Sequence, residues 1–376
     1  MKIGYDAKRA VSNMTGLGNY SRLVIESVAE EYPDSNLLLY TPSLKENPRL
    51  RKIREYHNVE FRLPPPSGFQ GSLWRTFGIT NCLQADKVDI FHGLSNELPL
   101  NITSSHIPSV VTVHDVIYRR LPEEYSFIDR KLYDWKYGAS CRNATRIIAI
   151  SERTKQDIVE IYGISPDKID VVYQGCDPSF ARRLDPHHLE EVRRRLGLPE
   201  KYVLQVGTIE PRKNLELSVR ALSSLPADVS LLAVGRNRKG YKERVEKIAG
   251  TLGVAGRIVF RDDITFADLP AVNQMAQVIL YPSKYEGFGI PVLEGLSSGR
   301  PVVAATGSCL EEAGGDAAIY VNPNDPRRLG EAVNAILSNR HQALEMIEKG
   351  EAYSARFSND RIASSIMEVY RKIIKP

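Results

Sequence analysis

The sequence predicts an α/β protein of two doubly wound domains, each built on a parallel sheet. Three observations carry this. The chain has 376 residues, more than one hydrophobic core usually serves. Short apolar runs alternate with helical patterns from end to end, the order that yields parallel sheets flanked by helices. Glycine-bearing and charged stretches follow several of the apolar runs, at strand ends where open α/β sheets keep their ligand sites.

Composition is ordinary for a globular protein, 42% hydrophobic and 26% charged, with a net charge of +4. That balance permits contact with an anionic membrane or a phosphorylated substrate without demanding either, and nucleic acid is not expected. Cys82, Cys141, Cys176 and Cys309 form no C-x-x-C pair, so zinc and redox motifs are absent. No apolar run has the length of a bilayer span, and no signal segment is expected, since Met1–Asp6 reads directly as a strand. The expectation is a cytoplasmic protein with reduced thiols.

Lys2 to Tyr5 reads as the first strand. Ser12 to Tyr20 follows as a glycine loop, S-N-M-T-G-L-G-N-Y, then a helix with Leu23, Val24 and Val28 on one face, stopped by Pro33. Gly16 and Gly18 hint at a dinucleotide fingerprint, but Ser21 stands at the third glycine position and the loop is too long, so NAD is a weak reading. Leu37–Tyr40 and Val59–Leu63 are strands, and Pro64-Pro65-Pro66 is an extended link. Ser72 is expected to cap a helix whose apolar residues, Leu73, Trp74, Phe77, Ile79 and Leu83, read as ordinary core.

Ile90–Gly93 and Ser109–Val113 are strands. His114 and Asp115 follow the second, where an imidazole can bind a hydroxyl or move a proton. A lone histidine there is usually structural, and His92 reads that way. Glu123 to Cys141 is a helix rich in aromatic and basic residues. Arg146–Ile150 is a strand, Ser151 caps a helix that Gly163 ends, and Ile169–Val172 is the last strand of the first half. A boundary falls in Tyr173–Pro178 and the polar run near His187, giving domains of 1–177 and 185–358.

In the second half, Tyr202–Gly207 is a strand leading into T-I-E-P-R-K-N, with Asn214 expected to cap a helix through Leu225. Arg212 and Lys213 thus stand at a strand end. An Arg-Lys pair is often a solvated turn, but a planar fork beside a compact charge suits a diphosphate. Ser230–Val234, Ile258–Phe260 and Val278–Tyr281 continue the strands. Then comes Y-P-S-K-Y-E-G-F-G-I-P-V-L-E-G-L-S-S-G-R-P, Tyr281 to Pro301: strand end, glycine loop at Gly287 and Gly289, helix opened by Pro291, stop at Gly299. The helix's first turn is an anion site. Glu286 before the loop, and Glu294, expected in the first turn, can accept hydrogen bonds from diols. Either glutamate alone has a plainer reading, a dipole partner or a solvated charge. The whole string suits a nucleotide sugar. Val302–Ala304, the loop Thr306–Glu312, Ala318–Val321 and a helix from Asn324-Asp325-Pro326 follow, then two more helical patterns.

The segment E-G-F-G-I-P-V-L-E, Glu286 to Glu294, resembles the E-x7-E motif of retaining glycosyltransferases of the GT-B fold, family 4. E-P-R-K-N and V-H-D are similar to further motifs of that family, and Q-G-C-D departs mildly from its N-G-V-D hinge. The resemblance implies two Rossmann-like domains facing across a cleft, the last helix, about 359–376, returning to the first domain. It implies an acceptor-binding first domain and a donor-binding second one. Arg212 and Lys213 would clamp the leaving diphosphate. Glu286, Gly287, Phe288 and Gly289 would orient the donor sugar, and His114 would contact it. Glu294 would hold the ribose. Gly16, Gly18, Gly207 and Ser308 would reach the donor, and Asp115 the acceptor hydroxyl. The helix Glu123–Cys141 would cover the acceptor entrance, or serve only as a surface helix.

With no D-x-D motif, no essential metal or other cofactor is expected. The first-choice donor is GDP-mannose, and the acceptor a glycan or lipid-linked glycan of a surface polysaccharide, met at the inner membrane face. A nucleotide-sugar epimerase of the same fold, an NAD-dependent dehydrogenase and a non-catalytic sugar-nucleotide-binding subunit are the alternatives.

Overall fold

The computed structural model describes residues 1–238 and 240–374. The chain divides into two compact units: Met1–Gly175 together with the C-terminal segment from Asn359, and Cys176–Ser358.

Unit 1 holds a seven-stranded sheet ordered β3-β2-β1-β4-β5-β6-β7. Its strands are β1 (Lys2–Asp6), β2 (Asn36–Tyr40), β3 (Val59–Arg62), β4 (Ile90–Gly93), β5 (Ser109–Val113), β6 (Arg146–Ala149) and β7 (Ile169–Val171). All pair in parallel. β4 and β5 are buried throughout, as expected of strands covered on both faces. The strand order reverses between β1 and β4, and at such a switch point the carboxyl ends of the strands open a crevice.

The final helix, Asn359–Ile374, belongs to this unit. Ile362, Ala363, Ile366, Met367 and Tyr370 lie on one face and join the core with Val24, Ile25 and Val28 of helix Gly16–Glu31. A buried polar chain fixes it. The Tyr370 hydroxyl meets His92 Nδ1 at 2.5 Å, His92 Nε2 meets Thr112 at 2.8 Å, and Thr112 meets the Tyr20 hydroxyl at 3.0 Å. His92 is therefore structural, and burial pushes its pKa down to about 3.

Unit 2 holds a six-stranded parallel sheet ordered β10-β9-β8-β11-β12-β13. Its strands are β8 (Tyr202–Val206), β9 (Ser230–Val234), β10 (Ile258–Arg261), β11 (Val278–Tyr281), β12 (Val302–Ala305) and β13 (Ile319–Val321). Here the order reverses between β8 and β11, which pair Val203 with Val278 and Leu204 with Ile279.

Several local expectations are corrected. Gly16 and Gly18 are not in a loop; they open the helix Gly16–Glu31. A Cβ on Gly18 would stand 1.8 Å from the Asn13 carbonyl oxygen, so packing alone requires glycine there. Ser72 caps nothing, because the helical stretch begins at Gly71 and passes through a π turn at Trp74–Gly78. In that stretch Trp74, Ile79 and Leu83 are core, but Leu73 is 57% and Phe77 40% exposed. The polar run near His187 is a helix, Pro186–Leu196, capped by Asp185. Asn214 does not cap its helix through its side chain. It sits at φ 58°, and its amide donates to the carbonyls of Pro282 (3.1 Å) and Pro323 (2.7 Å).

Candidate functional site

The switch point of unit 2 gathers the charged motif residues. β8 ends at Val206, and a short turn, Pro211–Lys213, follows. β11 ends at Tyr281, and the loop to helix Ile290–Ser297 follows. Because β8 and β11 are neighbours, two segments about seventy residues apart in sequence meet at one strand edge. Asn214 ties the first turn to the Pro282 carbonyl, and the Lys284 amide donates to the Arg212 carbonyl at 2.9 Å.

Glu286 is the centre of the cluster. Lys213 Nζ and Arg212 Nη1 each stand 2.7 Å from its Oε1, and the Ser283 hydroxyl donates to the same oxygen. Lys213 also donates to the Tyr281 hydroxyl at 2.6 Å. Arg212 is held further by the Tyr285 carbonyl (2.9 Å) and by Glu210 (2.7 Å), and Glu210 takes Arg238 at 3.3 Å. Burial alone would raise the Glu286 pKa, but Lys213 and Arg212 outweigh it and hold the carboxyl down at about 2. Burial pushes the Lys213 ammonium down, with Glu286 opposing. A buried ion cluster of this kind costs desolvation energy that its own attraction repays only with good geometry.

The loop after Glu286 is anchored from beneath. Gly289 is the N-cap of the helix, at φ 119°, where a Cβ would stand 2.7 Å from the Leu310 side chain. The buried Cys309 thiol lies 3.1 Å from both the Glu286 and the Phe288 carbonyl oxygens. Beside it, the Ser308 hydroxyl is buried without a hydrogen-bond partner, an arrangement a bound ligand would relieve.

Glu294 is the fifth residue of helix Ile290–Ser297, so it lies in the second turn rather than the first. The dipole-partner reading loses its basis there. Burial, and then the Asp177 carboxylate, push its pKa up to about 8. Among the described residues it has no salt-bridge partner. Gly207 follows β8 with φ 144° and lies against the Lys213 side chain.

In unit 1, His114 follows β5 and is 5% exposed. The Leu94 carbonyl lies 2.8 Å from Nε2 and can only accept, so Nε2 carries the proton. Nδ1 therefore accepts from the Gln174 amide at 3.1 Å. Burial, partly offset by the Leu94 bond, lowers the pKa to about 4. The imidazole expected from sequence to bind a hydroxyl or move a proton is thus a neutral ring with both nitrogens engaged. Asp115 accepts from the Ile117 amide at 3.2 Å, capping the turn that follows.

Sequence reasoning assigned no individual role to Glu210, Tyr281, Ser283, Cys309 or Gln174, although each lies inside a stretch it singled out: E-P-R-K-N, the string from Tyr281, the loop Thr306–Glu312 and Q-G-C-D.

Two parallel α/β units with a switch-point cluster of this kind constitute the GT-B class of fold. The chain belongs to the group 1 and family 4 glycosyltransferases: the profile described as Glycosyltransferase Family 4 matches residues 23–180, and that described as Glycosyl transferases group 1 matches residues 190–353. It is similar to the serotype-specific mannosyltransferase WbdA of Escherichia coli, 25% identical over 77% of this chain and 36% of that protein. The chain thus spans about a third of that relative's length. The O-antigen chain mannosyltransferase B of Escherichia coli is 28% identical over 75% of this chain and 74% of its own. Among solved structures, Anabaena Alr3699/HepE in complex with UDP superposes with a TM-score of 0.76 at 19% identity, covering 99% of this chain and 100% of that one. WaaG, a glycosyltransferase involved in lipopolysaccharide biosynthesis, gives 0.71 at 19% identity, covering 100% of both. No helix among the described residues is long and apolar enough to cross a membrane.

Proposed function

We propose that this protein is a retaining, metal-independent glycosyltransferase. It moves a hexose, with mannose from GDP-mannose as first candidate, from a nucleotide-diphosphate sugar to a glycan or lipid-linked acceptor. Surface polysaccharide or lipopolysaccharide synthesis at the inner membrane face is the setting. The unit Cys176–Ser358 binds the donor and the unit Met1–Gly175 the acceptor.

The observation that carries this reading is the convergence of Arg212, Lys213 and Glu286 at the switch point, next to the N-terminus of helix Ile290–Ser297. When the glycosidic bond to the diphosphate breaks, negative charge grows on the leaving oxygens. Arg212 and Lys213 stabilise that charge, and preorganised cations in a buried site are effective at this. The helix amides add to the field. With a cationic pair in this place, the leaving group needs no metal. Glu286, ionised and acceptor-only, takes hydroxyls of the donor sugar, and the backbone at Gly287, Phe288 and Gly289 shapes the approach. Glu294 takes the ribose diol, and Ser308 and Gly207 face the phosphates. His114 would contact the sugar by giving up its Gln174 partner, and Asp115 would meet the acceptor. Gly16 and Gly18 would reach the donor as the opening of a helix rather than as a loop.

The mannosyltransferase names of two relatives favour mannose, while the HepE structure with UDP favours a nucleotide diphosphate in general. The test is a panel of nucleotide sugars with glycan and lipid-linked acceptors in EDTA, the product's anomeric configuration read by NMR. Donor-dependent transfer with retention upholds the reading. Conversion of donor without acceptor would make the protein an epimerase. Donor binding without turnover on any acceptor would make it a non-catalytic binding subunit.

A further inference from the structure

Unit 2 holds two buried polar atoms that its own fold leaves unused, three residues apart in the chain. They are the hydroxyl of Ser308 and Oε2 of Glu311. Both belong to the passage from β12 into the short helix Leu310–Gly314. The Glu311 carboxylate is folded back over the residues before it. Its Oε1 accepts from the Thr306 hydroxyl at 2.6 Å and from the Gly307 amide at 3.0 Å. Those two bonds hold the carboxylate beside Ser308, the next residue along. Oε2, on the same carbon, has no partner, and neither has the Ser308 hydroxyl, so the two are not bonded to each other. The loop is open at this point: nothing lies within 4 Å of the place that a Cβ on Gly307 would take.

The same loop is tied to the segment Glu286–Gly289. The Cys309 thiol lies 3.1 Å from the carbonyl oxygens of Glu286 and Phe288. The Leu310 side chain packs under Gly289, 2.7 Å from where a Cβ would stand. The orphaned pair therefore adjoins the segment that orients the donor sugar in the function proposed above.

Buried polar atoms without partners are costly, and these two are complementary: one has a hydrogen to give, the other only accepts. A phosphate oxygen suits Ser308 but is repelled by the carboxylate. A hydroxyl suits both, since it accepts from Ser308 and donates to Glu311. We propose that Ser308 and Glu311 select the donor by one hydroxyl of its transferred sugar, held between them. The inference rests on the donor site proposed above and refines it at Ser308, whose side chain meets the sugar beside the phosphates. A site built to hydrogen-bond a substrate hydroxyl rejects the analogue that lacks it, because its buried groups are then left unpaired. Glu311 is already fixed by Thr306 and Gly307, so the reading geometry exists before donor arrives.

The test is calorimetric titration of the full chain with the nucleotide sugar that it binds most tightly, with the bare nucleoside diphosphate, and with the monodeoxy forms of that sugar. One monodeoxy donor should bind roughly tenfold or more weakly than the parent. Ser308→Ala and Glu311→Gln should each weaken the parent donor, while binding of that one monodeoxy donor and of the nucleoside diphosphate stays nearly unchanged. A loss that vanishes with a single ligand hydroxyl is a direct coupling, which a merely structural role would not produce. Thermal denaturation checks that both variants remain folded. Equal weakening of the parent and every monodeoxy donor, or no weakening in either folded variant, overturns the proposal and makes water the occupant. Weakened binding of the nucleoside diphosphate in Ser308→Ala also overturns it and returns that side chain to the phosphates. In all of these the donor site stands. A folded wild type that binds no nucleotide would overturn the donor site and this inference together.

Discussion

Lys213 Nζ and Glu286 Oε1 form a 2.7 Å ion pair whose side chains are only 14% and 10% exposed. The pair joins the turn after β8 to the loop after β11. In the free protein the proposed diphosphate clamp is thus already occupied by carboxylates, Glu286 and Glu210. On the proposed reading an incoming diphosphate would take over contacts that these groups now make, and the carboxylates hold the cations in place before donor arrives.

Lys213→Ala should lower turnover by about a hundredfold or more, the scale of losing one transition-state donor. Removing one partner of a buried pair also costs stability, though Arg212 remains on Glu286 and limits the loss. Steady-state kinetics beside thermal denaturation separate the two effects. Near-normal turnover in a folded variant would remove Lys213 from the mechanism.

Glu286 has a folded pKa of about 2 against an ordinary 4.5. Its ionised form is therefore favoured by folding. That stability is fully present above about 4.5 and is lost as pH falls toward 2. Glu286→Gln should flatten this part of the acid-unfolding curve. An unchanged curve would show that the pairing contributes nothing.

Glu294 runs the other way, with a folded pKa of about 8 against 4.5. Folding favours its protonated form, so its contribution is present below about 4.5 and is lost as pH rises through 8. Glu294→Gln should make the free protein relatively more stable above pH 8. If the ribose diol needs the carboxylate, donor binding releases a proton and weakens as pH falls below about 8. Titration calorimetry in two buffers of different ionisation enthalpy counts that proton. No proton released near pH 7 would contradict the assignment.

His114 should appear in nitrogen-15 spectra as the neutral Nε2–H tautomer throughout the neutral range, titrating only near pH 4. Gln174→Ala removes the donor to Nδ1 and should shift that nitrogen's resonance while the tautomer persists. If the ring were charged at pH 6, the buried, doubly bonded geometry would be wrong.

The sequence was informative where chemistry and geometry are local. Apolar runs marked the strands, buried in most and only partly buried in β3 and β10, and E-P-R-K-N and Glu286–Glu294 stood out because their charges adjoin strand ends. It was uninformative where partners are distant. Lys213 and Glu286 lie 73 residues apart, and no spacing rule predicts that they neutralise each other. Cys309 looked inert because its partners, the Glu286 and Phe288 carbonyls, are backbone atoms of another loop. Asn214 was misread because its motif context suits a cap, whereas the turn uses it in the left-handed region to bridge two carbonyls. Leu73 and Phe77 were placed in the core because helical periodicity alone does not say how much of a stripe is covered.

The most direct test of the central claim is calorimetric titration of nucleoside diphosphates and their sugars into the wild type and Lys213→Ala, with and without EDTA. The account predicts one preferred nucleotide sugar, an affinity unchanged by EDTA, and clear weakening in Lys213→Ala. Failure of the folded wild type to bind any nucleotide, or binding indifferent to Lys213, would contradict the donor site built around Arg212, Lys213 and Glu286.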